Sequence, residues 1–230
     1  METKRLLMQQ QQTNSNVHTH SQVLLTTAYL PPIIHFAHLV QKTPVLIEQH
    51  ENYIKQTYRN RCNILSANGP LSLTIPTVKK SGEKVPIRDV EIDYSTPWQK
   101  IHWKALESAY QNSPYFEHIA DELAPYYNKR VKFLFDLNQQ LIEKLLAYIE
   151  ISPTIRYTET YSTTAQSNTL DLRQIISPKV DITSTKLKFE PQPYYQVFGQ
   201  KGNFVPNLSI IDLICNEGLL SLEILEKSIK

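Results

Sequence analysis

Between Lys55 and Arg61 the chain reads Lys-Gln-Thr-Tyr-Arg-Asn-Arg, three cations and two amides in seven residues. A guanidinium can grip phosphate or carboxylate with two parallel hydrogen bonds, an ammonium adds a point charge, and amides can meet sugar hydroxyls. Lys55, Arg59, Asn60 and Arg61 are therefore candidate binders of an anionic small molecule, with room in their chemistry for sugar hydroxyls. The same run also suits a basic strand edge that discourages pairing with other chains. The charge is local: residues 42–88 hold eight basic and three acidic side chains, whereas the rest of the chain beyond them is acidic on balance.

Other residues have chemistry within reach of their types. His102 shares a helical face with Trp98 and Leu106, where an imidazole is either a hydrogen-bonded core group or a general base at the wall of a pocket. His35 and His38 stand three apart, a spacing open to a shared metal, but no His-Glu-x-x-His context accompanies them, so no metal site is expected. Asn138 interrupts an apolar stripe and must find a partner, in a neighbouring backbone or a ligand. Asn207 or Ser209 suits the N-cap of the helix that carries Asp212. Gly-x-Gly-x-x-Gly, the Walker loop, Gly-x-Ser-x-Gly and Cys-x-x-Cys are absent, and with five glycines in the chain an anion must be held by side chains.

From Gln22 the run Val-Leu-Leu-Thr-Thr-Ala, ending at Ala28, reads as a buried strand stopped by Pro31 and Pro32. A helix then spans Ile33 to Val40, and a second short strand follows at Pro44 to Ile47. Asn68-Gly69 between apolar runs predicts a hairpin. Ile87 to Tyr94 alternates like a strand with one wet face. Trp98 to Ala109 predicts a helix, Ser113-Pro114 restarts another with Tyr126 in its stripe, and a third runs from about Lys129 to Ile149. Ile155 to Thr160 can form a strand before the Ser/Thr/Gln/Asn loop at Tyr161 to Asn168. The run from Asn207 predicts a final helix closed by Gly218. The expected class is mixed α/β: an N-terminal strand-helix-strand and hairpin region, a helical block, then short C-terminal strands and helices.

Composition limits the rest. Hydrophobic residues at 41% and charged residues at 20% suit one folded domain, expected over residues 22–230 behind a disordered polar tail at residues 1–21. A net charge of +2 is too small for the field that sequence-independent nucleic-acid binding needs, so no nucleic-acid partner is expected. Two cysteines build no disulfide framework. No run is long and apolar enough for a membrane span or a signal peptide, which points to the cytoplasm. Cofactor and oligomeric state are left open.

Four segments in order resemble the WbqC-like family of bacterial proteins. They are Asn52 to Ile64 followed by Asn68-Gly69, Leu73-Thr-Ile-Pro76, Trp98 to Phe116 with its Trp-x-x-x-His and Ser-Pro-Tyr-Phe, and Phe204 to Asp212. Two departures stand out: the family's opening Met-Gln-Pro-Tyr-type segment is here Thr27-Ala-Tyr-Leu-Pro-Pro32, and the Gly-rich central stretch of longer members is missing between Tyr161 and Lys186. The resemblance implies a protein of surface polysaccharide and O-antigen synthesis acting on nucleotide-linked amino sugars, with acyl-type substituent transfer as the reaction. A non-catalytic binding or scaffold protein of the same machinery is the alternative. It further implies Lys55, Asn60, Arg61, His102, Tyr110, Asn207 and Asp212 as pocket residues, His102 among them as the catalytic candidate.

Overall fold

The computed structural model describes residues 20–78, 84–182, 185, 187–199 and 203–230. The polar tail expected at the N-terminus falls almost wholly outside them. Four strands, β1 (Gln22–Thr26), β2 (Val45–Glu48), β5 (Ile155–Tyr157) and β6 (Thr169–Asp171), form a parallel sheet in the order β5-β2-β1-β6. Strands β3 (Arg61–Ser66) and β4 (Gly69–Thr74) form a separate antiparallel hairpin whose turn takes Gly69 at φ 97, a backbone state open to glycine without strain. The helices are α1 (Ile33–Leu39), α2 (Trp98–Tyr110), α3 (Phe116–Asn128), α4 (Leu134–Tyr148), α5 (Ile210–Glu217) and α6 (Ser221–Lys227).

Alternation along the sheet separates two faces. Val23, Leu25, Val45 and Ile47 join the core with Ile34 and Phe36 of α1 and Ile210, Leu213 and Ile214 of α5. The opposite face presents Gln22, Leu24, Leu46 and Glu48 to a groove roofed by residues 158–166. Chain connectivity explains that roof. β5 and β6 are the two outer strands and run parallel, so the residues between them must cross the whole sheet and return to its amino end. Three inter-strand gaps of about 4.8 Å make a width of roughly 14 Å. The eleven residues 158–168 can reach about 36 Å when extended, and the slack lets the crossover stand off the sheet.

Two sequence expectations change in the fold. Ile87 to Tyr94 keeps its alternation, with Val90 and Ile92 buried, but forms a 3₁₀ turn at Ile87–Asp89 and single bridges from Glu91 to Phe133 and from Ile92 to Thr77. Its neighbours are irregular segments, which supply isolated hydrogen bonds and no ladder. The third long helix starts at Leu134, five residues later than its periodicity suggested, because residues 129–133 run extended beside that same stretch: Lys132 accepts from the Ile92 N–H and Leu134 donates to Val90. In α3 it is Tyr127, not Tyr126, that is buried.

Candidate functional site

The carboxyl ends of the parallel strands carry a cluster of charges, Glu48, Glu51, Arg59 and Arg173 buried and Asp171 partly exposed. Glu48 ends β2, and its Oε1 accepts from the His50 N–H at 2.7 Å and the Thr158 hydroxyl at 2.8 Å. Its Oε2 receives Arg173 Nη1 at 3.2 Å. Arg173, two residues past β6, also forks onto Asp171 and donates to the carbonyls of Ser162 and Thr163, while its guanidinium lies 5.6 Å from the Tyr161 ring centre. That guanidinium thus has no donor left over and pins the crossover to the sheet. Burial opposes ionisation of Asp171, but the Arg173 fork outweighs it and holds the carboxyl below its ordinary pKa. Further along the same edge, Arg59 meets Glu51 through Nε at 2.8 Å and Nη2 at 2.6 Å.

Charges of this kind cost several kcal/mol each to take out of water, and perturbed, paired ionisable groups concentrate at functional sites. Their location adds weight. The chain passes from β1 to β2 on one side and later places β6 on the other, so the topology reverses between Thr26 and Asp171, where open parallel sheets bind their ligands. The β1–α1 turn at that point holds Leu30 at φ 38, a strained state for a branched side chain.

Two recesses flank the charges. The groove on the open sheet face has a volume of about 380 Å³, with Leu24 and Leu46 on its floor and Glu48 and Arg173 at its end. The second, of about 180 Å³, is lined by Tyr53, Lys55, Thr77 and Lys84 together with Asp89 and Glu91. The Tyr53 hydroxyl there hydrogen-bonds Thr77 and feels the charges of Arg59 and Arg61, while burial raises its pKa.

The residues singled out in the sequence separate into three places. Lys55 lines the smaller recess, and Arg61 lies on β3 with its Nε on the Thr74 hydroxyl at 3.1 Å. Arg59 lies beneath, committed to Glu51, and Asn60 is buried with its amide on the Ile75 carbonyl at 2.9 Å. Asn138 donates to the Arg59 carbonyl at 2.8 Å, a backbone partner in place of a ligand. His102 is 4% exposed, Nδ1 is 3.0 Å from the Tyr29 hydroxyl, and the ring also bonds the Thr74 backbone. Tyr29 in turn meets Tyr127 at 2.8 Å. Burial lowers the His102 pKa to about 4, so the ring is neutral at pH 7.

Tyr110 and Asp212 do come together, at 2.8 Å, with Tyr194 on the other carboxylate oxygen at 2.6 Å and Gln196 alongside. Burial raises the Asp212 pKa. Asn207 accepts from the Ile34 N–H at 3.0 Å, so it caps α1 from a distance, where Pro32 provides no side-chain cap, while Ser209 caps its own helix α5.

Glu48, Glu51, Asp171 and Arg173 escaped the sequence reading. Glu48 closes an apolar run and looks like a strand boundary, and the partner of Arg173 lies 125 residues away. The one local signal was Asp171-x-Arg173, a spacing that places opposite charges on one face of a strand.

Among the described residues, no group of three or more His, Cys, Asp and Glu could hold a metal ion, and no helix is long and apolar enough to cross a membrane. Fold and site together define an α/β protein with paired charges at the carboxyl edge of a parallel sheet and a groove over the sheet's open face. The chain belongs to the WbqC-like protein family, whose model matches residues 27–186. It is similar to a Mycobacterium tuberculosis protein, uncharacterized protein Rv1507c, with 27% identity over 215 residues, covering 85% of this chain and 93% of the relative. No solved structure matches the chain.

Proposed function

We propose that this chain binds a nucleotide-linked amino sugar at the carboxyl edge of its parallel sheet, in the assembly of bacterial surface polysaccharide, and that it serves acyl-type substituent transfer to that sugar. The observation that carries the reading is the charge cluster Asp171–Arg173–Glu48 and Glu51–Arg59, buried except at Asp171 and set between two recesses at the topological switch point. Membership in the WbqC-like family supports the polysaccharide setting. Lys55 and Lys84, with Arg61 near Tyr53, provide cations at the smaller recess for phosphate. His102, with both ring nitrogens engaged, positions Tyr29 and the β3–β4 hairpin in this reading and carries no proton to substrate. Tyr110, Asp212 and Asn207 brace α5 and α1 behind the edge.

A second reading, a binding protein without catalysis, draws support from the burial of His102, Cys62 and Cys215. Thermal unfolding with UDP-, dTDP-, GDP- and CMP-linked sugars tests both. A ligand at 100 times its dissociation constant adds about 2.7 kcal/mol of stability. Stabilisation by one class, followed by a mass change of that sugar when an acyl donor is added, supports the enzyme. Stabilisation without chemistry across a panel of donors selects the binding protein. No stabilisation by any nucleotide sugar removes the ligand class.

A further inference from the structure

The crossover between β5 and β6 lies over the open face of the sheet, and between its ends one side chain holds it there. Strand register sends Leu24 of β1, Leu46 of β2 and Arg156 of β5 to that face. Leu24 and Leu46 line the groove together with Thr160, Ser162 and Gln166 of the crossover. Leu24 is only 5% exposed, yet it stands outside the main hydrophobic core. Its cover is the crossover, which closes the groove from above.

Both ends of the crossover are fixed. The Thr158 N–H donates to the Ile47 carbonyl, its side chain and carbonyl bond Glu48 and Gln49, and the Asn168 carbonyl accepts from Ser21. Between them, residues 159–164 are exposed. Among the described residues, the hydrogen bonds from 159–165 to the rest of the protein come from Arg173 alone, at 2.8 Å to the Ser162 carbonyl and 3.5 Å to that of Thr163. The Tyr161 ring, 47% exposed, lies 5.6 Å from the same guanidinium. Lifting this stretch breaks two hydrogen bonds and one ring contact, and every strand of the sheet stays paired. Segments held by so few contacts open at low free energy.

We infer that residues 159–167 form a lid over the groove, and that Arg173, anchored to the sheet by Glu48 and Asp171, is the latch that positions it. Opening frees the carbonyls of Ser162 and Thr163 and uncovers Leu24, while the guanidinium keeps its two carboxylates. The gating is the same whichever ligand enters the groove.

Thiol labelling on the full chain tests this. Leu24→Cys puts a thiol on the groove floor, while the buried Cys62 and Cys215 report unfolding of the whole domain. With N-ethylmaleimide and peptide mass spectrometry, the introduced thiol is expected to react at least about a hundredfold faster than those two, because local opening costs less than global unfolding. It is also expected to react more slowly than in the urea-unfolded chain. Arg173→Lys keeps a cation beside Glu48 and gives up the planar fork. It is expected to speed the introduced thiol about tenfold, the worth of a charge-assisted hydrogen bond. Tyr161→Ala, at an exposed position, is expected to speed it about threefold, and neither substitution to change Cys62 or Cys215. An introduced thiol as slow as Cys62 and Cys215, or as fast as in the unfolded chain, overturns the lid. A rate indifferent to both substitutions, or raised equally at all three thiols, overturns the latch.

Discussion

Arg59 and Glu51 face each other in a two-point fork, with side chains only 3% and 4% exposed. Removing the guanidinium strands a carboxylate away from water. Arg59→Met is therefore expected to cost about 3–5 kcal/mol in urea unfolding, and Arg59→Met with Glu51→Leu to recover most of that loss. A double variant as unstable as the single one would show that the fork is not an isolated pair.

For His102 the expected signature is structural. His102→Ala removes one of the two partners of the Tyr29 hydroxyl, which keeps Tyr127, takes the imidazole from the Thr74 backbone of the hairpin, and opens a cavity beside Trp98. A loss of about 2–3 kcal/mol by chemical denaturation is expected. Unchanged stability together with abolished turnover would restore the imidazole as a proton carrier.

Three histidines make stability depend on pH. Burial lowers His35, His38 and His102 from 6.5 to about 4, so on acidification the unfolded chain takes up protons first. Their stability is complete above pH 6.5 and is lost as pH falls towards 4, at about 1.4 kcal/mol per pH unit for each fully responding ring. Asp212, with a raised pKa, works the other way and gains as pH falls. Urea midpoints at pH 7 and pH 5 are expected to differ strongly, and His38→Gln to flatten the slope by about one proton.

Asn207 serves α1 through two properties at once, its side-chain cap on Ile34 and its own φ of 54. Asn207→Gly keeps the backbone state and loses the cap, for about 1 kcal/mol. Asn207→Ala loses both, and roughly 1 kcal/mol more is expected. Equal losses in calorimetry would place the effect in the cap alone.

Much of this architecture is legible in local pattern. The apolar run at β1, the proline-led α1, the Asn68-Gly69 turn and the stripe Trp98–His102–Leu106–Ala109 each carry their own period or turn chemistry, and the fold follows them. What hides is what depends on distant partners. β6 is three residues emerging from a Ser/Thr-rich segment, and it becomes a strand only because β1 offers an open edge. Ile87 to Tyr94 shows the reverse, a strand-like alternation with no strand to pair with. In the candidate site, Lys55 and Arg61 are visible as a basic run, but the commitment of Arg59 to Glu51 and of Arg173 to Glu48 exists only after the sheet has assembled.

Whether the carboxyl edge of the sheet holds the ligand is read by hydrogen exchange with mass spectrometry. With a stabilising nucleotide sugar bound, protection is expected in residues 49–59 and 158–166, on either side of the buried charges. Protection confined to the opposite end, where His38, Lys42 and Glu226 line a third recess, would place the ligand away from these charges and overturn the assignment.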